Sequence, residues 1–161
     1  MPIVDKPLPE LLTYMGRNPC PQNMDAFWNA GIAEMQALDP KIKLEPYPLK
    51  TTSAECFSLY FTGVGGSRIH AKYLRPKKSS KPHPAVVIFH GYSGNSGDWV
   101  EKLSWIAQGY SVFALDCRGQ GGMSQDLGGV TGTTMRGQII RGLDDKPEKL
   151  LFRQIFLDTA Q

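Results

Sequence analysis

Cysteine is sparse in this chain of 161 residues: Cys20, Cys56 and Cys117 stand far apart and form no CxxC pair. An odd count at such spacing argues against a disulfide framework and against a zinc site. A reducing cytoplasm is the simplest setting. Long apolar runs are missing too. None approaches the roughly 20 residues that a membrane span requires. Residues Met1 to Lys6 carry no apolar stretch of the signal-peptide kind. The expectation is a soluble, cytoplasmic protein without a membrane partner. Charge of one sign is also in short supply, with 18 Lys and Arg against 15 Asp and Glu. The one basic run, Lys77, Lys78 and Lys81, falls in a polar stretch with the look of a turn. Nucleic acid is not an expected partner, because phosphate binding takes a clustered basic face.

A nucleophile turn is absent as well. Serine hydrolases with a doubly wound sheet carry their serine in G-x-S-x-G. Ser93 has Gly91 two residues before it but Asn95 two after. Ser96 has Gly94 before it but Asp98 after. Among the 3 histidines none lies beyond His90, so no complete Ser-His-Asp set can be drawn in chain order. Cys117 follows a strand without a histidine ready as base, and reads as a buried structural thiol rather than a nucleophile.

What is present has a clear order. Residues 1–24 are proline-rich and read as an arm over a surface, with one short helical turn through Pro9–Tyr14. Phe27, Trp28, Ile32, Met35 and Leu38 recur at helical spacing, predicting an amphipathic helix over 25–38 that Pro40 ends. The period then changes. Phe57, Leu59 and Phe61 alternate, glycines 63, 65 and 66 supply a turn, and Ile69, Ala71 and Tyr73 alternate again, predicting an antiparallel hairpin. His70 faces away from Ile69 and Ala71, as an exposed or satisfied strand residue.

Two runs, Ala85-Val86-Val87-Ile88-Phe89 and Tyr110 to Asp116, are apolar on both faces, as in strands buried between helices. A helix is predicted between them over 97–108, which makes a right-handed βαβ unit. A glycine-rich loop follows over 118–142. A last helix is predicted over 147–161. The class is α/β, divided into an arm with its helix (1–54) and a sheet-bearing part (55–161).

The strongest local signal is His90-Gly91-Tyr92-Ser93-Gly94 after a buried strand. Together with Val4-Asp5-Lys6-Pro7-Leu8, Phe27-Trp28, Lys72-Tyr73, Pro76 and Arg118-Gly119-Gln120 it resembles carbohydrate esterase family seven. That family comprises the acetyl xylan esterases and cephalosporin C deacetylases. Ile140 to Asp144 and Phe152 to Asp158 look like segments of the same family.

The resemblance implies the N-terminal half of an α/β-hydrolase fold, its sheet incomplete in this chain. It implies that Tyr92 lends its backbone N–H to an oxyanion hole, with His90, Gly91, Arg118, Gly119 and Gln120 as support. It further implies a small acetylated carbohydrate or related ester as substrate, and no cofactor. Family members are about twice as long, so the expected partners are a complementing C-terminal half, which would bring the serine, aspartate and histidine, and further copies in a homo-oligomer. The alternative is a non-catalytic binding or assembly module.

Overall fold

The computed structural model describes residues 5–77, 79, 81–127 and 140–161. Residues 128–139 of the expected glycine-rich loop, Lys78 of the basic run and Val4 of the arm lie outside them. A short helix α1 (Leu8–Leu11) and a longer one, α2 (Met24–Gln36), precede the strands β1 (Lys43–Pro46), β2 (Ala54–Thr62), β3 (Arg68–Pro76) and β4 (Ala85–Phe89). Helix α3 (Leu103–Ala107), strand β5 (Ser111–Leu115) and helix α4 (Leu151–Ala160) complete the chain.

The hairpin forms as its alternation predicts. β2 and β3 pair antiparallel from Ala54 opposite Pro76 to Thr62 opposite Arg68. At the turn, Gly65 and Gly66 adopt φ of +75° and +84°, a region that side chains with a Cβ rarely enter. β4 and β5 are parallel and in register, Ala85 beside Ser111 and Phe89 beside Leu115. The two units join through β3 and β5, and the sheet runs β1-β2-β3-β5-β4.

Period-two alternation sorts the side chains onto two faces. On one, Phe61, Ile69, Ala71, Leu115 and Cys117 pack under Leu151 and Ile155 of α4. On the other, Cys56, Leu74 and Val112 pack under Trp99 and Ile106. Met35 of α2 meets Leu157 of α4 and Val64 of the hairpin turn, and so fixes the N-terminal helix to the sheet layer.

Several expectations are corrected. The helix expected over 97–108 is a 3₁₀ turn, Val100–Lys102, followed by the five-residue α3. Gly97 sits at φ +67° and Asp98 Oδ1 takes the Val100 N–H at 2.8 Å, so no helix begins earlier. Gly109, at φ +88°, closes it where expected.

β4 is not buried on both faces: Val87 is 54% and Phe89 49% exposed. The strand is the last in the sheet, and only its Val86–Ile88 side lies toward the α3 layer. The arm's turn begins at Leu8 and ends at Leu11 rather than spanning 9–14. β1 was not foreseen; it carries no alternating signal and pairs only with the outer edge of β2. Among the described residues no helix is long and apolar enough to cross a membrane.

Candidate active site: an amide-bearing turn beyond the parallel strands

The C-terminal ends of β4 and β5 both open into tight turns, and these two turns are tied together. After β4, the Gly94 N–H donates to Gly91 O at 3.0 Å, closing a reverse turn with Tyr92 and Ser93 at its corners. Ser93 has φ +58°, a strained choice for a residue with a Cβ. The turn is held from outside. Gln120 Oε1 accepts the Ser93 N–H at 2.7 Å, and the Gly121 N–H donates to Gly94 O at 2.9 Å.

His90 locks the base of the turn. Its Nε2 accepts the Cys117 N–H at 3.0 Å, so its Nδ1 carries the proton and donates it to Gly91 O at 2.7 Å. The Ser93, Gly94, Ser96 and Gly97 amides all donate inside the protein, whereas the Gly91, Tyr92 and Asn95 N–H groups have no protein acceptor among the described residues.

Of these three residues, Gly91 and Tyr92 line an apolar hollow of about 380 Å³, whose walls also include Phe89, Cys117, Phe152 and Phe156. A Cβ placed on Gly91 would meet nothing within 4 Å. Gly91 is thus not required by the protein's own packing. The Tyr92 side chain is 58% exposed.

Behind the turn lies a buried polar layer. Asp116, 2% exposed, follows β5. It accepts from His70 Nδ1 at 2.7 Å, from the Ser96 N–H at 2.6 Å and from the Met123 N–H at 3.0 Å. Burial alone would push this carboxyl up, but the hydrogen bonds from His70 and the Met123 and Ser96 amides outweigh it and hold the pKa far below the ordinary value. Arg118 is buried and grips Asp158 of α4 through Nε at 2.6 Å and through Nη2, while its Nη1 donates to Val64 O at 2.9 Å. Burial pushes the Asp158 carboxyl up and the Arg118 guanidinium draws it back.

Gly119 adopts φ +70° and lets the chain turn toward Gln120. Of the expected supporting residues, His90 and Gln120 bond to Gly91 and Ser93 on either side of Tyr92, while Gly119 lies beside Asp126. Arg118 instead points down, joining the loop to α4 and the hairpin turn.

Asp116 and His70 were missed as parts of this layer. His70 is not exposed: it is 1% accessible, and its ring lies against Tyr60 with centroids 5.1 Å apart. Neither Ser93 nor Ser96 has a histidine nitrogen bonded to its hydroxyl. The imidazole that does touch serine hydroxyls, that of His83, lies at the opposite end of the sheet. It contacts Ser111 Oγ and Ser79 Oγ, each at 2.8 Å, with no carboxylate behind it. Cys117 is buried, and burial first, then Asp158 and Asp116, pushes its thiol up, the reverse of an activated nucleophile. Among the described residues no group of His, Cys, Asp and Glu is placed to hold a metal.

Acetyl xylan esterase 1 from a Thermoanaerobacterium species superposes with a TM-score of 0.91 at 58% identity, over 97% of this chain and 49% of that one. The acetyl xylan esterase of a Paenibacillus species gives 0.82 at 28% identity, over 95% of this chain and 49% of that one. The chain therefore spans about half the length of these structures, and their α/β-hydrolase fold is its fold.

Among curated proteins, a stretch of 85 residues is 33% identical to a dihydrolipoyllysine-residue acetyltransferase component of an acetoin cleaving system from Cupriavidus necator, covering 53% of this chain and 21% of that protein. A stretch of 86 residues is 36% identical to dipeptidyl-peptidase 5 of Schizosaccharomyces pombe, covering 48% of this chain and 12% of that protein. The family model for acetyl xylan esterase matches residues 1–161. This chain belongs to the acetyl xylan esterase family.

Proposed function

We propose that this chain supplies the oxyanion side of a serine-type acetyl esterase acting on small acetylated carbohydrates or related esters. The observation that carries the reading is that Gly91 and Tyr92, whose N–H groups have no protein acceptor among the described residues, line an apolar hollow. A carbonyl oxygen that gains negative charge during acyl transfer needs rigid donors at that spot. In α/β-hydrolases one donor comes from the loop after the third strand and the second from the residue after the nucleophile. Tyr92 fits the first role, with His90, Gly91, Gly119 and Gln120 fixing the turn and Arg118 fixing the loop to α4.

The serine, aspartate and histidine would come from a complementing C-terminal half. There the serine attacks the acetyl carbonyl, an acyl-enzyme forms, and water releases acetate. No cofactor enters this scheme. The arm and α2 (1–54) would form one unit leaning on the hydrolase part (55–161), and the whole enzyme would assemble as a homo-oligomer.

The test is hydrolysis of p-nitrophenyl acetate by the chain alone and after adding the C-terminal half of the Thermoanaerobacterium enzyme. No turnover alone and saturable turnover after addition are expected. Burst kinetics from the isolated chain, with an inhibitor trapped on Ser93 or Ser96, would overturn the reading. Complementation without turnover would favour a non-catalytic assembly module.

A further inference from the structure

The polar layer behind the turn has more order than support requires. Asp116 receives three donors from three different parts of the chain: His70 of β3, Ser96 just past the reverse turn, and Met123 on the neighbouring loop. Its own N–H donates to His70 O at 3.0 Å, and its carbonyl accepts from Ser124 Oγ. The carboxylate therefore stands where both turns meet the sheet.

The glycines around it fit the same purpose. A Cβ on Gly122 would collide with the Asp116 carboxyl, and one on Gly121 would come within 2.6 Å of Ser93 O and 2.9 Å of Gly94 O. Neither has a positive φ, so both are required by close approach rather than by backbone conformation.

We infer that Asp116 is a positioning residue for the oxyanion turn: its carboxylate pins the Ser96 and Met123 amides and thereby sets where the Tyr92 N–H points, with His70 orienting the carboxylate from the strand below. The inference rests on the proposed oxyanion role of Tyr92. Removing the carboxylate leaves three ties between the loops, the Cys117 N–H to His90 Nε2, the Ser93 N–H to Gln120 and the Gly121 N–H to Gly94 O. All three are bonds between neutral groups, and hydrogen bonds to an ionised acceptor are roughly twice as strong.

Asp116 differs from Gln120, which holds the turn directly, in that it touches neither the turn's corners nor the hollow. It acts through Ser96 and Met123 alone. His70 adds direction: its Nδ1 donates to the carboxylate, while its Nε2 has no partner among the described residues.

The inference is tested by hydrogen exchange followed by mass spectrometry on the 161-residue chain, comparing segments 91–98 and 119–125 with the sheet segment 69–75. Asp116→Ala is expected to speed exchange at least tenfold in both turn segments and to leave the sheet segment within twofold of wild type. Asp116→Asn keeps one carbonyl acceptor and is expected to free only one of the two segments. That graded pattern is one a merely structural loss would not produce. Gly122→Ala, which pushes the carboxyl aside without removing it, serves if Asp116→Ala does not fold, and is expected to loosen the same two segments.

Turn segments as protected as wild type in these variants would overturn the inference. So would loss spread evenly into 69–75. Neither outcome depends on turnover, so failure here is distinct from failure of the esterase reading.

Discussion

β4 and β5 are neighbours, parallel and five residues long, and nearly alike in composition, yet they live in different surroundings. Four of the five β5 residues are buried and its Val112, Ala114 and Leu115 are fully so, whereas β4 leaves Ala85, Val87 and Phe89 exposed. β5 is flanked by β3 and β4; β4 has β5 alone, and its other edge is unpaired among the described residues. An edge with free N–H and C=O groups and an apolar face is a template for another strand. The difference between the two strands is thus one of neighbours, not of residues. It marks β4 as the edge on which a further strand could pair.

The comparison can be broken most forcefully past the end of β5. Arg118→Ala would leave Asp158 charged and buried without its partner, a loss of about 3–5 kcal/mol. A urea-unfolding midpoint that barely moved would deny the burial assigned to this loop.

Next comes the registered pair Leu115 and Phe89. Leu115→Ala removes a fully buried side chain from the core and should cost about 2–5 kcal/mol. Phe89→Ala should cost about 1 kcal/mol, because burying a whole phenylalanine contributes about 1.5–3 kcal/mol and half of this one is already in water. Equal losses at the two positions would erase the distinction between edge and centre.

The two strands also end differently, β4 in His90 and β5 in Asp116, and the second gives the contrast a pH dependence. The fold depresses the Asp116 pKa. Its contribution is therefore complete above the unfolded value near about 3.9 and drains away as the pH falls below that toward the folded value. Asp158 acts in the opposite sense, since its folded pKa is raised and its protonation favours the fold. Asp116→Asn should be less stable than wild type at neutral pH but lose less on going from pH 4.5 to 3. Parallel acid-unfolding curves would remove Asp116 from the account.

The smallest effect is kinetic. Amides of Val86 to Phe89 should exchange faster than those of Val112 to Leu115 in the chain alone, and the gap should close when a complementing half is added. A persistent gap would show that this edge is not where the partner pairs.

How much of this was legible depended on distance along the chain. The hairpin was, because Phe57, Leu59, Phe61 and Ile69, Ala71, Tyr73 carry their alternation locally and the glycines between them mark the turn. Edge and centre were not: β4 and β5 spell the same kind of run, and only the partner strand tells them apart. Tyr92, His90 and Gln120 were singled out through family resemblance, but the bond from Ser93 to Gln120 spans 27 residues and has no local trace.

His70 reads as an ordinary residue on the second face of a strand until Asp116, 46 positions later, is brought beside it. One signal was available: two consecutive glycines, 121 and 122, shortly after an aspartate that ends an apolar strand, where no turn geometry calls for both. β1, a four-residue strand ending in proline, had no signal at all.

The strand order has a consequence for the chain as it is made. β5 lies between β3 and β4, so β3 and β4 share no ladder of their own. As the polypeptide leaves the ribosome, the β1-β2-β3 meander can close at once. β4 then emerges with nothing in the sheet to receive it until β5 has followed, about 30 residues and a few seconds later at about 5–20 residues per second. During that interval the most apolar strand of the protein is a guest without a host, and the nascent chain is most open to capture by a chaperone or by a neighbour on the same message.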